Sequence, residues 1–595
     1  MNPKDPLKRV LYIDLTKRKY WIEEREDLFS KYLGGVGVGI KLLEENCPPD
    51  IDPLSPENSI ILAIGPLNGL FPLASKTVAL FKSPHTGNLG ESHAGGRSGL
   101  ALRMAGYGAI VVKGKSERPC YVAIHSNKVF FRDATTLWGL KAGVSAARLI
   151  RAKEPGAGLR TIIRIGPAGE KLITYSSVTL ETYRHFGRLG LGAVFGSKNL
   201  KAIVISGQRD FPVSDFKTYK EVYTELMEEI TGSPKMKKYH ELGTPANVLP
   251  LSLVKGLPIK NLTTHEFEKV EEISGEAFAE KYLARRVACT HCPVACIHLA
   301  AIREPYEDEP YFYKTTYVSY DYELIYALGS MLGISDSYKV LKLIQTVEDY
   351  GLDAISTGVI LAWCTEAFEK GLIKETQTEG LVPRWGEAEV YIEMIKKIVE
   401  SPKEFYQDLG KGLHFVVEKY GGEDFALIFG KNEMAGYHTG VAGYVGFLLG
   451  ARHSHLDNAG YSLDQACWKN NLSLEEMAER LLKEELWRQI LSSLVICFFA
   501  REIYRLDKVL KCLSVAGYDL NEEKIWALAE RIYAHKYNFK MKSGFDMENL
   551  KVPKRIFELS TFTGEIKPEN LEVLLKLLKE KIKNLLEAQA REPLL

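Results

Sequence analysis

ACTHCPVACIH, residues 288–298, is the stretch on which the reading of the whole chain turns. It sets Cys289, Cys292 and Cys296 in a Cys-x2-Cys-x3-Cys spacing, and Pro293 inside the run keeps it from closing into a regular helix. Thiolates grouped this way hold soft metal centres. Three are one short of a four-ligand site, and Cys497, in LSSLVICFFA, is the candidate for the fourth. An iron–sulfur cluster in a cytoplasmic oxidoreductase is the leading reading. Structural zinc with His291 or His298 as fourth ligand stays open, although a zinc ribbon usually supplies a second local cysteine pair and none follows here. A radical cluster using S-adenosylmethionine has the reverse order, x3 then x2.

Working outward, 595 residues exceed what one core accommodates and predict two to four domains. Lys+Arg 77 against Asp+Glu 76 leaves almost no net charge and no polybasic block, which argues against nucleic acid and anionic membranes as partners. The opening MNPKDPLKRV has no apolar core of a signal peptide, and the apolar run near 490–500 is too short to span a bilayer. Nine cysteines, an odd number widely spread, do not form a secreted disulfide framework, so a cytoplasmic, thiol-reducing setting is expected.

An α+β class follows from the patterning. A β-rich domain is predicted over 1–211, with strands such as Val10–Asp14, Tyr20–Glu23, Thr77–Phe81 and Ala202–Ser206 and helices at Lys31–Glu45 and Ala142–Lys153. Two mainly helical domains follow, 212–421 and 422–595, with helical periodicity at Phe216–Thr231, Glu276–Arg286, Tyr338–Tyr350, Ala388–Glu400 and most of Glu475–Lys511. The sequence shows no repeats. Three Gly-rich stretches, Gly34–Gly39, Gly95-Gly96 with Arg97, and Gly187–Gly196 preceded by Tyr183-Arg184-His185, read either as tight turns or as a floor for a phosphorylated cofactor. Ser335 or Asp336 caps a helix that Gly351 ends. Its last turn carries Glu348 and Asp349, carboxylates facing the negative end of the helix dipole. Glu348 and Asp353 either sit in solvent and at the next N-cap, or accept from a ring rich in N–H donors.

Five segments carry a resemblance along nearly the full length: ACTHCPVAC at 288–296, EDYGLDAISTG at 348–358, GLGAVFGSKNLKAI at 190–203, LALRMAGYGAIVVKG at 100–114 and VPKRIF at 552–557. Together they resemble the tungsten-containing aldehyde:ferredoxin oxidoreductases. The resemblance implies a β domain as base for two pyranopterin-dithiolene ligands of one tungsten (molybdenum is not excluded), two helical domains closing over them, and one 4Fe-4S cluster beside the pterin. It implies Cys289, Cys292, Cys296 and Cys497 as cluster ligands. The family's D-x-x-G-L-D pterin motif falls on Glu348–Asp353, including Leu352, with Glu in the first place. A second copy falls on Ser492–Cys497, including Ile496, where Ser492 replaces Asp and Val495 replaces Gly. The cofactor-binding set is completed by Lys76, Gly95, Gly96, Arg184 and Gly187. A magnesium bridging the pterins would lie near His93 and the backbone carbonyl of His185. Glu323 and His455 match the catalytic pair, with His453 as competitor to His455, and aromatics of the 310–320 and 438–448 stretches are expected to line the pocket.

The implied reaction oxidises an aldehyde to a carboxylic acid, with electrons leaving through the cluster to ferredoxin or a ferredoxin-like subunit. A subunit of a larger complex running a reduction at the same cofactor is the alternative. Homodimeric members bind a bridging metal through Glu-x-x-His; Lys342 and Gln345 stand there in this chain, which disfavours an iron-bridged homodimer.

Overall fold

The computed structural model describes residues 5–154, 158–181, 183–211, 213–306, 308–309, 311–470 and 472–591. Its first part is built on two six-stranded sheets. One contains β1 (Arg9–Asp14), β2 (Lys19–Glu24), β3 (Ile60–Ala63), β4 (Thr77–Lys82), β5 (Leu89–Ala94) and β6 (Ala109–Lys113), in the order β2-β1-β6-β3-β4-β5. The other contains β7 (Cys120–His125), β8 (Lys128–Asp133), β9 (Leu159–Arg164), β10 (Val178–Leu180), β11 (Arg184–Phe186) and β12 (Leu200–Gly207), in the order β8-β7-β12-β9-β10-β11.

Strand for strand the two orders are the same, and so are the pairing directions: β1 with β6 and β7 with β12 are parallel, while the other pairs are antiparallel. A helix enters at matching points, Gly35–Asn46 before β3 and Val144–Lys153 before β9, then Ser98–Ala105 before β6 and Leu191–Ser197 before β12. The domain is therefore a duplicated unit, which the sequence conceals because sheet topology constrains only polarity and length at each position. The edge strands β5 and β11 meet. His93, opposite Val78, and His185, opposite Thr179, occupy equivalent positions on them.

Hairpin turns at Thr16–Arg18 and Ser126-Asn127 stand where the sequence predicts them. The helix predicted at Lys31–Glu45 is two, Glu26–Tyr32 and Gly35–Asn46, broken at Leu33 with φ 64°. The Gly34–Gly39 stretch serves packing rather than an anion: a Cβ on Gly35 would lie 2.1 Å from the carbonyl oxygen of Ser492, so only glycine lets this helix press on the end of helix Leu474–Ser493.

The helical part departs from expectation in two places. Helix Gly275–Lys281 stops where the periodicity continues, and Leu283–Val287 is β13 of a three-stranded antiparallel sheet with β14 (Ile297–Pro305) and β15 (Tyr313–Tyr320). Pairing with β14 overrides the local helical pattern. The predicted helix over 475–511 ends at Ser493, and a new one starts at Leu506. Helix Leu474–Ser493 packs against Glu522–Lys542 and against the C-terminal amphipathic helix Pro568–Arg591. No described helix is long and apolar enough to cross a membrane.

Candidate active site and metal centre

The cysteine loop 288–296 lies between β13 and β14, with His291 and Ala295 in left-handed conformation. Backbone bonds hold it on the β domain: Thr290 donates to the carbonyl of Gly96 at 2.9 Å, and Leu73 donates to that of His291 at 3.0 Å. The carbonyl of the same Leu73 accepts from the amide of Cys497 at 2.9 Å. One residue of the first domain thus joins the local triad to the distant cysteine. The thiols act on one another. Burial first, then the charge of Cys497, pushes Cys292 and Cys296 up to about 12. A Cβ on Gly95 would meet Cys289 Sγ at 2.7 Å and Lys76 Nζ at 3.3 Å, so the loop's first thiol and Lys76 share the Gly95 wall. Burial disfavours the Lys76 ammonium, but the thiolates of Cys497, Cys289 and Cys296 outweigh it and raise its pKa. Among the described residues no three His, Cys, Asp or Glu side chains converge tightly enough for a single ion. His298 Nε2 lies 2.9 Å from the carbonyl of His240. The donor set is thus four mutually coupled thiols beside a cation.

Two helix ends flank this wall in the same way. Helix Ser337–Tyr350 ends at Gly351 with φ 77°, and the amide of Leu352 donates back to Val347. Helix Leu474–Ser493 ends at Val495 with φ 56°, and the amide of Ile496 donates back to Leu491. Asp353 then donates to the carbonyl of Tyr175, as Cys497 does to that of Leu73. The carbonyl of Gly351 accepts from Ser177, and that of Val495 from Lys76.

The acids of the first motif differ in kind. Asp349 pairs with Lys141 at 3.1 Å. Asp353 caps helix Ala354–Glu369 through the amide of Ile355 at 2.9 Å, and its other oxygen takes Arg188 Nε at 2.9 Å and Ser356 Oγ at 2.7 Å. Arg188 continues to the carbonyl of Glu433 at 2.8 Å; the Glu433 side chain binds His85 and Ser356, and these partners with Arg188 outweigh burial and hold it at about 2. Both oxygens of Asp353 are thus engaged within the chain. Glu348 is the opposite case. Its Oε1 is buried without a hydrogen-bond partner, and burial, then Asp349, pushes it up to about 8. A ring presenting N–H donors fits that orphaned oxygen. Arg184, whose Nε donates to the carbonyl of Tyr183 at 2.6 Å, and Gly187, whose missing Cβ would meet nothing within 4 Å, complete an open, basic floor.

The His93 ring binds Glu91 Oε1 at 2.7 Å, and Glu91 also pairs with Lys536 at 2.6 Å. Burial, then Arg452, pushes His93 down to about 4; burial, then Arg184 and Arg164, pushes His185 down to about 3. Both rings are neutral at physiological pH.

Asp321 caps helix Tyr322–Leu328 and so fixes Glu323 in its first turn. Ser454 and Asp457 form a capping box around His455–Asn458, and Arg452 clasps Asp457 at 2.6 Å. These two starts bring His455 Nε2 to 3.3 Å from Glu323 Oε1. Burial raises Glu323 to about 7, and Tyr437 donates to it at 2.9 Å. Burial, then Arg188, holds His455 well below its ordinary value, so the ring is neutral. Glu323 Oε2 and His455 Nδ1 are buried without partners. His453 points elsewhere: its Nδ1 bonds to the carbonyl of Phe447 at 3.0 Å and its ring packs on Phe545. The aromatics around the pair are Tyr437 and Tyr461, stacked 4.2 Å apart, not those of 310–320, of which Tyr311, Phe312, Tyr313 and Tyr317 are exposed on the β14–β15 hairpin and Tyr320 is buried against Phe278, nor Tyr444 and Phe447, which pack beneath on Phe429. Arg188 and Tyr437 escaped the sequence reading; only the adjacency of Arg188 to Gly187 hinted at it. Lys342 binds Glu304 at 3.1 Å and Gln345 at 3.2 Å within the chain.

Known proteins are similar to this chain in sequence and fold. Residues 10–207 match the family model of the aldehyde ferredoxin oxidoreductase N-terminal domain, and 221–585 match that of domains 2 and 3. The tungsten-containing aldehyde ferredoxin oxidoreductase of Pyrococcus furiosus is 33% identical over 566 residues, 92% of this chain and 91% of its own. The aliphatic sulfonate oxidoreductase, WOR-like subunit, of the same organism is 32% identical over 416 residues, 66% of this chain and 64% of its own. Among solved structures, the active site complex BamBC of benzoyl coenzyme A reductase with 1,5-dienoyl-CoA has a chain with the same fold, at TM-score 0.80 and 22% identity over 98% of this chain and 97% of that one. The chain is therefore an oxidoreductase of the tungsten-containing aldehyde ferredoxin oxidoreductase family.

Proposed function

We propose that this enzyme oxidises an aldehyde to the carboxylic acid, RCHO + H2O → RCOOH + 2H⁺ + 2e⁻, at a bis-pyranopterin tungsten centre, and passes the electrons singly through a 4Fe-4S cluster on Cys289, Cys292, Cys296 and Cys497 to ferredoxin or a ferredoxin-like subunit. The observation that carries the reading is the Glu323–His455 pair, with its unpartnered Oε2 and Nδ1 under two tyrosines. When bound, the metal supplies the two-electron acceptor. Glu348, Lys76, Arg184 and Gly187 would hold its pterins, with Leu352, Asp353, Ser492 and Ile496 at the two helix ends completing the set. A magnesium ion bound with the cofactor would be held by the backbone carbonyl of His185, since the His93 ring is occupied by Glu91.

A carboxyl near 7 is matched to general-base work at neutral pH. Glu323 takes a proton from water or from the aldehyde hydrate, and the neutral His455 donates from one nitrogen to the aldehyde oxygen, orienting the carbonyl. Two protons leave per turnover, and Glu323 takes the first.

Aldehyde-dependent reduction of a viologen dye by the purified protein, with elemental analysis of W, Mo, Fe and Zn, tests this. Tungsten with four irons per chain and dye reduction are expected. Zinc without iron would overturn the cluster assignment. Full tungsten with no aldehyde oxidation would favour the second reading, a subunit reducing its substrate within a larger complex, to which the altered Ser492–Cys497 end lends support.

A further inference from the structure

The β14–β15 hairpin grows directly out of the cysteine loop, since Ile297 follows Cys296. Its outer part exposes Tyr311 (92%), Phe312 (64%), Tyr313 (51%), Tyr306 (50%) and Tyr317 (46%). Single exposed aromatics are ordinary; five on one hairpin make a patch of the kind that marks a protein interface. At the foot of β15, where Thr315–Tyr317 form one wall, lies a hollow of about 860 Å³ lined by Arg97, Lys141, Arg148, Arg151 and Arg160. Lys141 is matched by Asp349, and Glu181 is engaged by Thr161. Glu181 also feels the charge of Arg97, which leaves Arg148 and Arg151 as cations of the hollow with no salt bridge among the described residues. Arg97 follows Gly96, whose carbonyl binds Thr290 of the cysteine loop, so the basic hollow adjoins that loop, and the hairpin leads from it to the aromatics at its outer end. Asp308 and Glu309 sit at the hairpin tip, so the positive charge that attracts an acidic partner is confined to the hollow.

We infer that the aromatic hairpin and the arginine hollow together form the docking surface for the electron-accepting partner, a small iron–sulfur protein with an acidic face. The inference rests on the redox reading above and deepens it. Electron-transfer encounters bury little area and depend on charge complementarity for their rate. The arginines steer an acidic carrier to the hollow beside the cysteine loop, and the exposed aromatics extend the contact along the hairpin.

Two variants of the loaded enzyme test this: Tyr311→Ser with Phe312→Ser, and Arg148→Glu with Arg151→Glu. Each is assayed with aldehyde and either benzyl viologen or an acidic two-cluster ferredoxin as acceptor. We expect KM for ferredoxin to rise about tenfold or more in both. Viologen-linked turnover should stay within about twofold of the parent, because these residues lie outside the active site. The arginine variant should also lose most of the salt dependence of the ferredoxin reaction. Unchanged ferredoxin kinetics would overturn the inference. So would a shift from dimer to monomer by light scattering in the aromatic variant with ferredoxin kinetics intact, since the hairpin would then cover a second copy of this chain. If the parent oxidises no aldehyde with viologen as acceptor, the functional reading fails by itself. Docking is then read from ferredoxin binding to the immobilised protein: a loss of about tenfold in the variants supports it and no loss refutes it.

Discussion

Replacing Glu348 by Gln should have opposite effects with and without the cofactor. In the cofactor-free chain the carboxyl ends a helix against the dipole, with one oxygen buried and unpartnered, and burial followed by Asp349 pushes it to about 8. The native chain then keeps a proton that the unfolded chain releases in the ordinary carboxyl range. Stability conferred relative to Gln therefore falls as pH rises from about 4.5 to 8 and is fully lost above. A rise from 4.5 to about 8 bounds the penalty at about 5 kcal/mol. Water reaching the half-buried side chain reduces it, and about 2 kcal/mol is the working figure. Unfolding entropy of about 2.1 cal/mol/K per residue over the chain converts this into a Tm shift of about 1.5 °C, larger if one domain melts alone. Calorimetry of tungsten-depleted protein should show Glu348→Gln equal to the parent at pH 5 and more stable at pH 9. In the loaded enzyme the carboxylate accepts from the pterin, and losing charge-assisted bonds of about 1.5–3 kcal/mol should weaken cofactor retention about 10–100-fold. A variant with the parent's pH slope, or one that retains tungsten as the parent does, would refute the reasoning.

His455→Ala should leave tungsten and iron content normal and lower viologen-linked turnover about 100-fold or more. His453→Ala should instead cost about 2–3 kcal/mol of stability, through the lost bond to Phe447 and the space left against Phe545, with turnover per folded molecule preserved; equal kinetic losses in the two would remove His455 from the site. With Glu323 near 7 as the base, kcat/KM should rise with pH through about 7, and Tyr437→Phe, by removing a donor to the carboxylate, should move that limb upward by about 1–2 pH units; an unmoved limb would mean another group titrates. Cys497→Ala should lower bound iron while a crosslink between positions 73 and 291 still forms, since that contact is backbone to backbone; loss of the crosslink would show that the cluster, not the backbone, joins the domains.

The site was legible where chemistry demands a residue type. Cysteine spacing, Gly351 at a left-handed helix end and carboxylates at the wrong end of a dipole are local signals, and they led to the loop of coupled thiols and to Glu348. What escaped depends on partners distant in the chain. Arg188 matters because it meets Asp353 and Glu433, and nothing near GRLG announces either. β13 escaped because its helical periodicity is overridden by pairing with β14. The aromatics at 311–317, expected in the pocket, are exposed instead because the strand pairing of β14 with β15 carries them out on a hairpin.

The duplicated topology went unseen for a deeper reason, and the second helix end shows it. Gly351 adopts φ 77° without strain, whereas Val495, β-branched, adopts φ 56°. A non-glycine residue held there costs about 1–3 kcal/mol. Complete burial of the Val495 side chain returns about 1.5–3 kcal/mol, so the turn survives without its glycine. What specifies the turn is then not residue 495 but the first domain, which gives the amide of Lys76 to the carbonyl of Val495 and the carbonyl of Leu73 to the amide of Cys497. The equivalent bonds from Ser177 and Tyr175 hold the first helix end. A conformation fixed by bonds from another element can outlast the residues that would favour it locally, and a motif can fade from the sequence while the site it marked keeps its shape.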